Sequence, residues 1–293
     1  MAWVGTAHAR AKINLTLHIL GRRDDGYHDL ESLVSFAAFG DDLRLVEGPR
    51  LSLTIAGPEA DVLTTDDHNH IIKATHALQA KISGLRVGAF HLTKRLPLAS
   101  GMGGGSADAA AALRLLARLN HLALDDPHIL AAARATGADV TVCLESRTRI
   151  MRGIGDALDA PFPLPRIFAV LVNPRRASET PRVFETIGLK RGETKSMSAH
   201  PLMTPMADYD RLIALLRSTR NDMESAAISL EPAIAQVIDA VKALPDCHLA
   251  RMSGSGATVF GLFPTCRDAA RGARLLRERH PHWWIKSTLL GPR

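Results

Sequence analysis

The residues from 97 to 108 place a glycine-rich loop directly before an alanine-rich stretch of helical character. The loop runs Pro97-Leu98-Ala99-Ser100-Gly101-Met102-Gly103-Gly104-Gly105-Ser106-Ala107-Asp108, with four glycines among the five residues 101–105. Backbone N–H groups without a neighbouring Cβ approach an anion closely, and the start of a helix adds free N–H groups and partial positive charge. The segment predicts a phosphate-binding loop, and the alternative is a loop that only leads into a helix.

The spacing of this loop excludes two common phosphate-binding motifs. A Walker loop requires Gly-Lys-Ser/Thr, and the chain has no Gly-Lys dipeptide. A dinucleotide fingerprint requires a third glycine where Ser106 stands. A second glycine turn occurs in Arg251-Met252-Ser253-Gly254-Ser255-Gly256-Ala257. Alone such a turn often only joins two strands, but the two turns together predict a nucleotide site at a domain junction.

Phosphoryl transfer also needs a carboxylate to orient the attacking hydroxyl and a cation to stabilise developing charge. Asp139 is a candidate carboxylate, although its local context alone favours a capping or turn residue. Lys12 is a candidate cation. In residues 9–19, polar residues such as Lys12 and Asn14 alternate with apolar residues such as Ile13. This period of two predicts a strand with one buried face. Lys12 and Asn14 then share the polar face, about 7 Å apart, and such a face is often merely hydrated.

The elements that would position these residues alternate between strands and helices. We expect a helix over Ser106–Leu122 with Ser106 as its cap and Asp108 in its first turn. A further helix begins at Asp126-Pro127 and ends at Gly137. Ala138–Leu144 is expected to be a strand entry or a short connection, which places Asp139 at a junction between a helix and a strand. The linker candidate is Pro161–Pro165, which predicts two domains, 1–165 and 166–293. Residues 188–206 are expected to form a polar, mobile loop.

Composition narrows the possible classes of protein. The chain has 293 residues and 46% apolar residues, enough for two cores, and no apolar run approaches the roughly 20 residues of a membrane helix. The net charge of +6 comes from residues 166–293, which hold 19 Lys and Arg against 12 Asp and Glu. With only 4% aromatic residues, a solvated basic face or a site for a polyanionic small molecule is favoured over a nucleic-acid groove. The three separated cysteines and the absence of a leader sequence predict a reduced, cytoplasmic setting.

The glycine loop resembles the ATP-binding motif of the GHMP small-molecule kinases, a superfamily that includes galactokinase, homoserine kinase and mevalonate kinase. Further blocks resemble the branch that phosphorylates 4-diphosphocytidyl-2-C-methyl-D-erythritol. The most specific are Ala11-Lys12-Ile13-Asn14-Leu15 and Gly21-Arg22-Arg23-Asp24-Asp25-Gly26-Tyr27-His28. The others are Gly137-Ala138-Asp139-Val140, Gly153-Ile154-Gly155-Asp156 and the second glycine turn. These blocks occur in family order over nearly the whole chain.

The resemblance implies an α+β fold with two domains. The N-terminal domain would be of the left-handed βαβ type found in a ribosomal protein, and the C-terminal domain would be ferredoxin-like. It also implies ATP-dependent phosphorylation of the 2-hydroxyl of that substrate in non-mevalonate isoprenoid biosynthesis, with Mg²⁺ as cofactor. A monomer or homodimer is expected, without nucleic-acid or membrane partners.

The residues implied by the resemblance fall into three groups. Lys12 and Asp139 match the catalytic pair. The residues expected to bind ATP are Pro97, Leu98, Ala99, Ser100, Gly101, Met102, Gly103, Gly104, Gly105, Ser106 and Ala107, and Ser106 is a possible Mg²⁺ contact. The residues expected to bind the substrate are Asn14, Tyr27, His28, Thr180, Phe184, Gly254 and Ser255. Tyr27 and Phe184 would stack on the cytosine, and His28 would hydrogen-bond it.

Several residues depart from the family pattern. Thr141 and Cys143 follow Asp139 where the family usually has Pro and Phe, 146–149 replaces small residues, and Asp156 replaces Glu. Two alternative functions therefore stay open. One is another kinase of the superfamily, acting on homoserine, mevalonate or a sugar, and the other is a non-catalytic RNA- or nucleotide-binding module.

Overall fold

The computed structural model describes residues 3–61, 63–195, 200–201 and 204–291. Part of the predicted loop 188–206 lies outside these residues. The chain divides into two compact units. Unit 1 comprises 1–11, 40–98 and 103–146, and unit 2 comprises 12–39, 99–102 and 147–293. No helix of the described residues is long and apolar enough to cross a membrane.

Strands occur in both halves of the described chain. They are β1 (Trp3–Asn14), β2 (His18–Arg22), β3 (His28–Gly48), β4 (Ser52–Ala56), β5 (Val87–Thr93), β6 (Arg149–Gly153), β7 (Ala157–Leu158), β8 (Ile167–Asn173), β9 (Leu249–Met252), β10 (Val259–Phe263) and β11 (Trp284–Leu290). The strand expected over 9–19 is therefore interrupted between Asn14 and His18. The polar face of this stretch is buried rather than hydrated, since Lys12 and Asn14 are only 4% and 2% exposed.

The helices are α1 (His70–Gln79), α2 (Gly104–Leu119), α3 (Pro127–Thr136), α4 (Ala138–Glu145), α5 (Thr180–Ile187), α6 (Tyr209–Arg217), α7 (Glu224–Leu230), α8 (Ala233–Lys242) and α9 (Cys266–Arg279). Helix α3 begins and ends as predicted, because Asp126 caps it by accepting the N–H of His128 and Gly137 terminates it. The strand entry or short connection expected over Ala138–Leu144 is wrong. This segment forms α4, whose apolar side packs against α2 and α3.

Unit 1 combines a helical layer with a small sheet. In the sheet, β4 runs parallel to β5, and β5 pairs in antiparallel fashion with the 42–48 portion of β3. Helix α1 connects β4 to β5, so these elements form a βαβ unit. Helix α2 packs against α1, α3 and α4, and its alanine-rich sequence lets these neighbours approach closely.

Unit 2 contains an antiparallel sheet in the order β11-β8-β10-β9. Helices α5–α8 connect β8 to β9, and α9 connects β10 to β11, which is the βαββαβ arrangement of a ferredoxin-like domain. The core of this unit includes Val170, Val172, Val237, Val259 and Ile285. The first part of β3 pairs with β2, β6 and β11. Pro161–Pro165 lies in unit 2 outside the helices and strands, and the boundary at 165 stays a prediction.

Candidate active site

The first half of the glycine loop is fixed by backbone contacts within unit 2. The carbonyl oxygens of Ala99 and Ser100 accept the N–H groups of Ser178 and Thr258, both at 3.1 Å. Gly101 has a φ of +73°. A Cβ at Gly101 would lie 2.3 Å from the carbonyl oxygen of Ser253. This position therefore needs glycine both for its backbone conformation and for its close packing against the second glycine turn.

The second half of the loop turns into α2 within unit 1. Gly103, with a φ of +62°, is the N-cap, and the first helical hydrogen bond runs from the N–H of Ala107 to the carbonyl oxygen of Gly103 at 2.8 Å. The N–H groups of Gly104, Gly105 and Ser106 are consequently free of helical partners. Together with the helix dipole they form an anion-binding position.

Two details expected of this helix are wrong. Ser106 does not cap α2, because the left-handed conformation of Gly103 starts the helix two residues earlier and no side chain caps it. Ser106 is instead half-buried in the first turn. Asp108 lies beyond the first turn, where its carboxylate meets a buried cation and not the free N–H groups of the helix start.

That cation is Lys94, which lies between two buried carboxylates. Its Nζ is 2.7 Å from Oδ2 of Asp41 and 2.6 Å from Oδ2 of Asp108. A Cβ at Gly104 would lie 3.3 Å from the same Nζ, so the ammonium group is next to the first residue of α2. Burial raises the pKa of Asp108 to about 7, against the opposing effect of Lys94. The two acidic partners raise the pKa of Lys94 enough to outweigh its burial, so the lysine stays charged.

Asp139 lies in the first turn of α4, two residues after the N-cap Gly137, and its side chain is half-buried. The backbone N–H groups at a helix start carry partial positive charge, which suits an acidic side chain at this position. The predicted position at the start of a strand is thus replaced by one at the start of a helix.

Lys12 and Asn14 lie at the end of β1, in unit 2. The N–H of Lys12 donates to the carbonyl oxygen of Met102 at 2.9 Å, which ties the strand to the glycine loop. The N–H of Asn14 donates to Oγ of Ser253 at 3.1 Å, and its Nδ2 donates to Oγ of Ser32 at 2.7 Å. The Ser32 hydroxyl gives its hydrogen to the carbonyl oxygen of Thr16, so it can only accept from Asn14. The amide oxygen of Asn14 is thereby turned away from Ser32.

Three further residues expected to bind substrate join this group. A Cβ at Gly254 would lie 3.3 Å from Oδ1 of Asn14. The hydroxyl oxygens of Thr180 and Ser255 are 2.7 Å apart, and the Ser178 hydroxyl donates to the carbonyl oxygen of Ser255. Asn14, Gly254, Ser255 and Thr180 therefore form one continuous polar group within unit 2.

His28 and Phe184 form a second group in unit 2. Their rings stack with centroids 4.3 Å apart and planes 12° apart. His28 is 8% exposed, and its Nε2 is buried with no hydrogen-bond partner among the described residues. Burial, followed by the positive charge of Arg22, lowers the pKa of His28, so the imidazole is neutral at pH 7. Tyr27 lies on the adjacent turn and is 61% exposed.

Sequence reasoning missed the buried residues that hold these groups in place. Asn221 donates from Nδ2 to the carbonyl oxygens of Met252 and Gly254, both at 2.8 Å. Arg251 donates to the carbonyl oxygens of Leu15, Leu216 and Thr219, and burial lowers its pKa to about 10. Arg251 stands within the recognised turn motif, but the sequence gives no indication of the segments it would join.

A cavity of about 780 Å³ lies beside the β2–β3 hairpin but includes none of the predicted site residues. Its lining charges are largely paired with one another, as Arg23 is with Asp25 and Asp29, or with nearby residues, as Arg152 is with Asp159. Unlike Nε2 of His28, these paired groups offer little unmet hydrogen-bonding capacity to a ligand. We therefore place the chemistry at the glycine loop and the polar groups described above.

Comparison with known proteins identifies the family. The family models for the GHMP kinases N terminal domain and GHMP kinases C terminal match residues 69–147 and 205–282. The chain is 51% identical to 4-diphosphocytidyl-2-C-methyl-D-erythritol kinase of Xanthobacter autotrophicus, over 97% of this chain and 98% of that protein.

Two solved structures extend the comparison. A crystal structure of 4-(cytidine 5'-diphospho)-2C-methyl-D-erythritol kinase is 30% identical and has a TM-score of 0.74, covering 99% of this chain and all of that one. Homoserine kinase from Cytophaga hutchinsonii, at 18% identity and a TM-score of 0.69 over 97% of this chain and 93% of that one, shares the fold. The chain belongs to the 4-diphosphocytidyl-2-C-methyl-D-erythritol kinase family of the GHMP kinases.

Proposed function

We propose that this kinase transfers the γ-phosphoryl group of ATP to the 2-hydroxyl of 4-diphosphocytidyl-2-C-methyl-D-erythritol, giving the 2-phosphate and ADP. The reaction belongs to non-mevalonate isoprenoid precursor biosynthesis. The observation that carries the choice of substrate is the stacked pair of His28 and Phe184 with its unpartnered buried Nε2. The flat face of a base can lie against an aromatic ring, and its polar edge can hydrogen-bond Nε2 of His28. Homoserine and mevalonate contain no base.

Asp139 is the group that we assign to the attacking hydroxyl. It orients the 2-hydroxyl and takes its proton as the oxygen attacks the γ-phosphorus, and the bond from that phosphorus to the bridging oxygen of ADP breaks. Lys12 favours the alkoxide character of the attacking oxygen through its positive charge. Both assignments come from the family motif, and Asp139 lies in the first turn of α4 with a half-buried side chain.

The phosphates of ATP are assigned to the loop from Pro97 to Ala107. The free N–H groups at the start of α2 support this assignment, and the absence of Cβ atoms at Gly104 and Gly105 leaves the backbone accessible. The backbone contacts of Ala99 and Ser100 and the close packing at Gly101 support a loop that is already formed before the phosphates bind.

Mg²⁺ is the expected cofactor. The residues present fit a metal site in which the phosphate oxygens of the nucleotide supply most of the ligands. The described residues contain no cluster of three or more His, Cys, Asp or Glu side chains that could hold a metal ion. Mg²⁺ in kinases commonly uses one or two protein ligands together with phosphate oxygens and water. The Ser106 hydroxyl, in the first turn of α2, would supply such a ligand. Bound Mg²⁺ would neutralise charge on the phosphates.

The substrate is assigned to the groups in unit 2. His28 hydrogen-bonds the cytosine, while Phe184 and the exposed Tyr27 provide apolar ring faces. Asn14, with its amide oxygen directed away from Ser32, accepts a hydrogen bond from the polyol end, next to Gly254, Ser255 and Thr180.

The departures Thr141 and Cys143 lie in an intact α4. A cytoplasmic location, supported by three cysteines that form no disulfide, and a monomeric or homodimeric state complete the proposal.

The test measures ADP release with Mg-ATP and four acceptors: the cytidyl compound, homoserine, mevalonate and galactose. Turnover with the cytidyl compound alone supports the proposal, and turnover with another acceptor overturns the roles of His28 and Phe184. Asp139→Asn should lower kcat by about 100-fold or more while the Kd for ATP stays unchanged. The control is Asp125→Asn, an exposed acidic residue before α3. Near-wild-type turnover of Asp139→Asn would refute its assignment.

A further inference from the structure

Arg22 is the last residue of β2 and lies opposite His28 of β3. Its backbone is held on the other side as well, since its N–H donates to the carbonyl oxygen of Glu193 and its carbonyl oxygen accepts the N–H of Gly192, both at 2.8 Å. The backbone of Arg22 is therefore fixed from two directions, and its half-buried side chain starts from a defined position.

The guanidinium group joins two segments that are distant in the sequence. Its Nε donates to the carbonyl oxygen of Gly26 at 3.2 Å, and its Nη1 donates to the carbonyl oxygen of Leu189 at 2.9 Å. Gly26 immediately precedes Tyr27 and His28. Leu189 follows the end of α5, the helix that carries Phe184.

We propose that Arg22 is a positioning residue that holds His28 and Phe184 together as a platform for the base of the substrate. Its two donors have the fixed angle of a planar fork, which a lysine cannot reproduce. This inference rests on the proposed function for the identity of the base. Removing the fork should weaken binding of the base-carrying substrate and leave ATP binding unchanged.

The charge of Arg22 has a second, separable effect on the same platform. It disfavours a proton on the buried imidazole and so acts with burial to lower the pKa of His28. Other charged residues belong to the same elements. Asp29 follows His28 on β3, Arg182 and Glu185 share α5 with Phe184, and the guanidinium group of Arg191 lies close to Gly26. Among the described residues, Arg22 is the charge that shifts the pKa of His28. Geometry and charge can therefore be tested by different substitutions.

The experiment compares Arg22→Lys, which keeps the charge, with Arg22→Gln, which removes it, in the full-length enzyme. Both should raise KM for the cytidyl substrate roughly tenfold, the effect of losing one charge-assisted hydrogen bond, with kcat and KM for ATP changed less than about twofold. The acid limb of kcat/KM for the cytidyl substrate, which reports the free enzyme, should move to higher pH only in Arg22→Gln. The matched control is Arg23→Gln, whose ion pairs with Asp25 and Asp29 are exposed.

A readout without substrate separates this inference from the proposed function. In the free enzyme, the ring current of Phe184 should shift the imidazole proton resonances of His28, which selective histidine labelling and a His28→Gln variant would assign. Both Arg22 variants should lose this shift, and Arg23→Gln should retain it. A shift that persists in both Arg22 variants overturns the positioning role, as does an equal rise of KM for both substrates. Failure of the wild type to use the cytidyl compound overturns the proposed function alone.

Discussion

Replacing Gly101 by alanine should test whether the glycine loop depends on its contact with the second glycine turn. The new Cβ would lie 2.3 Å from the carbonyl oxygen of Ser253, 2.7 Å from the nitrogen of Gly256 and 2.8 Å from its carbonyl oxygen. All three are backbone atoms, so they cannot move aside as the end of a flexible side chain would. The loop, the turn or both must shift.

The chain contains a matched control in Gly84. Its φ is also +73°, but a Cβ there would have nothing within 4 Å. Left-handed backbone costs a residue with a Cβ about 1–2 kcal/mol, and this part should be the same at both positions. Overpacking adds about 1–3 kcal/mol at Gly101 alone. Gly84→Ala should therefore lose about 1–2 kcal/mol of unfolding free energy, and Gly101→Ala about 2–5 kcal/mol.

The assay is denaturant unfolding of both variants beside steady-state kinetics with ATP varied. Because a displacement near 1 Å can cost about 100-fold in rate, Gly101→Ala should lower kcat/KM for ATP by about 10- to 100-fold. Gly84→Ala should leave it unchanged. Equal stability losses in the two variants, with ATP kinetics preserved in both, would refute the claim that close packing is what requires glycine at position 101.

Two further predictions concern buried polar groups, one in each unit. Burial raises the pKa of Asp108 from 3.8 to about 7, so the folded state binds this proton more tightly than the unfolded state. The contribution of Asp108 to stability is therefore present below pH 3.8 and lost as pH rises through about 7. Asp108→Asn should flatten the stability profile over this window in urea unfolding, and an unchanged slope would contradict the assignment. Asn221→Ala leaves two buried carbonyl oxygens and the Met223 N–H without partners and should cost about 3 kcal/mol. Asn120 makes three equivalent bonds in a more exposed setting, so Asn120→Ala should cost about 1 kcal/mol, and equal losses would count against the burial argument.

Local chemistry in the sequence predicted those elements whose ends depend on neighbouring residues. Helix α3 is the clearest case, because Asp126 caps it and Gly137 ends it within the same short segment. The second glycine turn likewise joins two paired strands, β9 and β10, as such turns often do.

Tertiary packing overrode local preference elsewhere. The residues of α4 include Val140, Thr141 and Val142, whose branching at Cβ favours strands. Their helical state comes from burial against α2 and α3. The local sequence pattern does not predict this packing. The start of α2 shows the same limit. Ser106 is a good capping residue by type, but the backbone of Gly103 decides where the helix begins.

The types of the candidate site residues were predictable, and their environments were not. The alternation of Lys12 and Asn14 with apolar residues predicted a shared face but could not distinguish a hydrated face from a buried one. Both are almost wholly buried, because Met102, Ser32 and Ser253 supply partners from distant parts of the chain. Similarly, His28 and Phe184 were both expected to hold the base, but the sequence could not show that their two rings stack on each other.

The two glycine turns have different roles, and the direction of one hydrogen bond explains why. The hydroxyl of Ser253 donates its single hydrogen to the carbonyl oxygen of Gly101, so it can only accept from the N–H of Asn14. The second turn thus uses its polar groups to hold the first turn and the end of β1. Only the first turn leads into a long helix with free N–H groups, which are what a phosphate requires. Under the proposed function, the second turn would act on ATP through Gly101, so the substitution at Gly101 tests this arrangement directly.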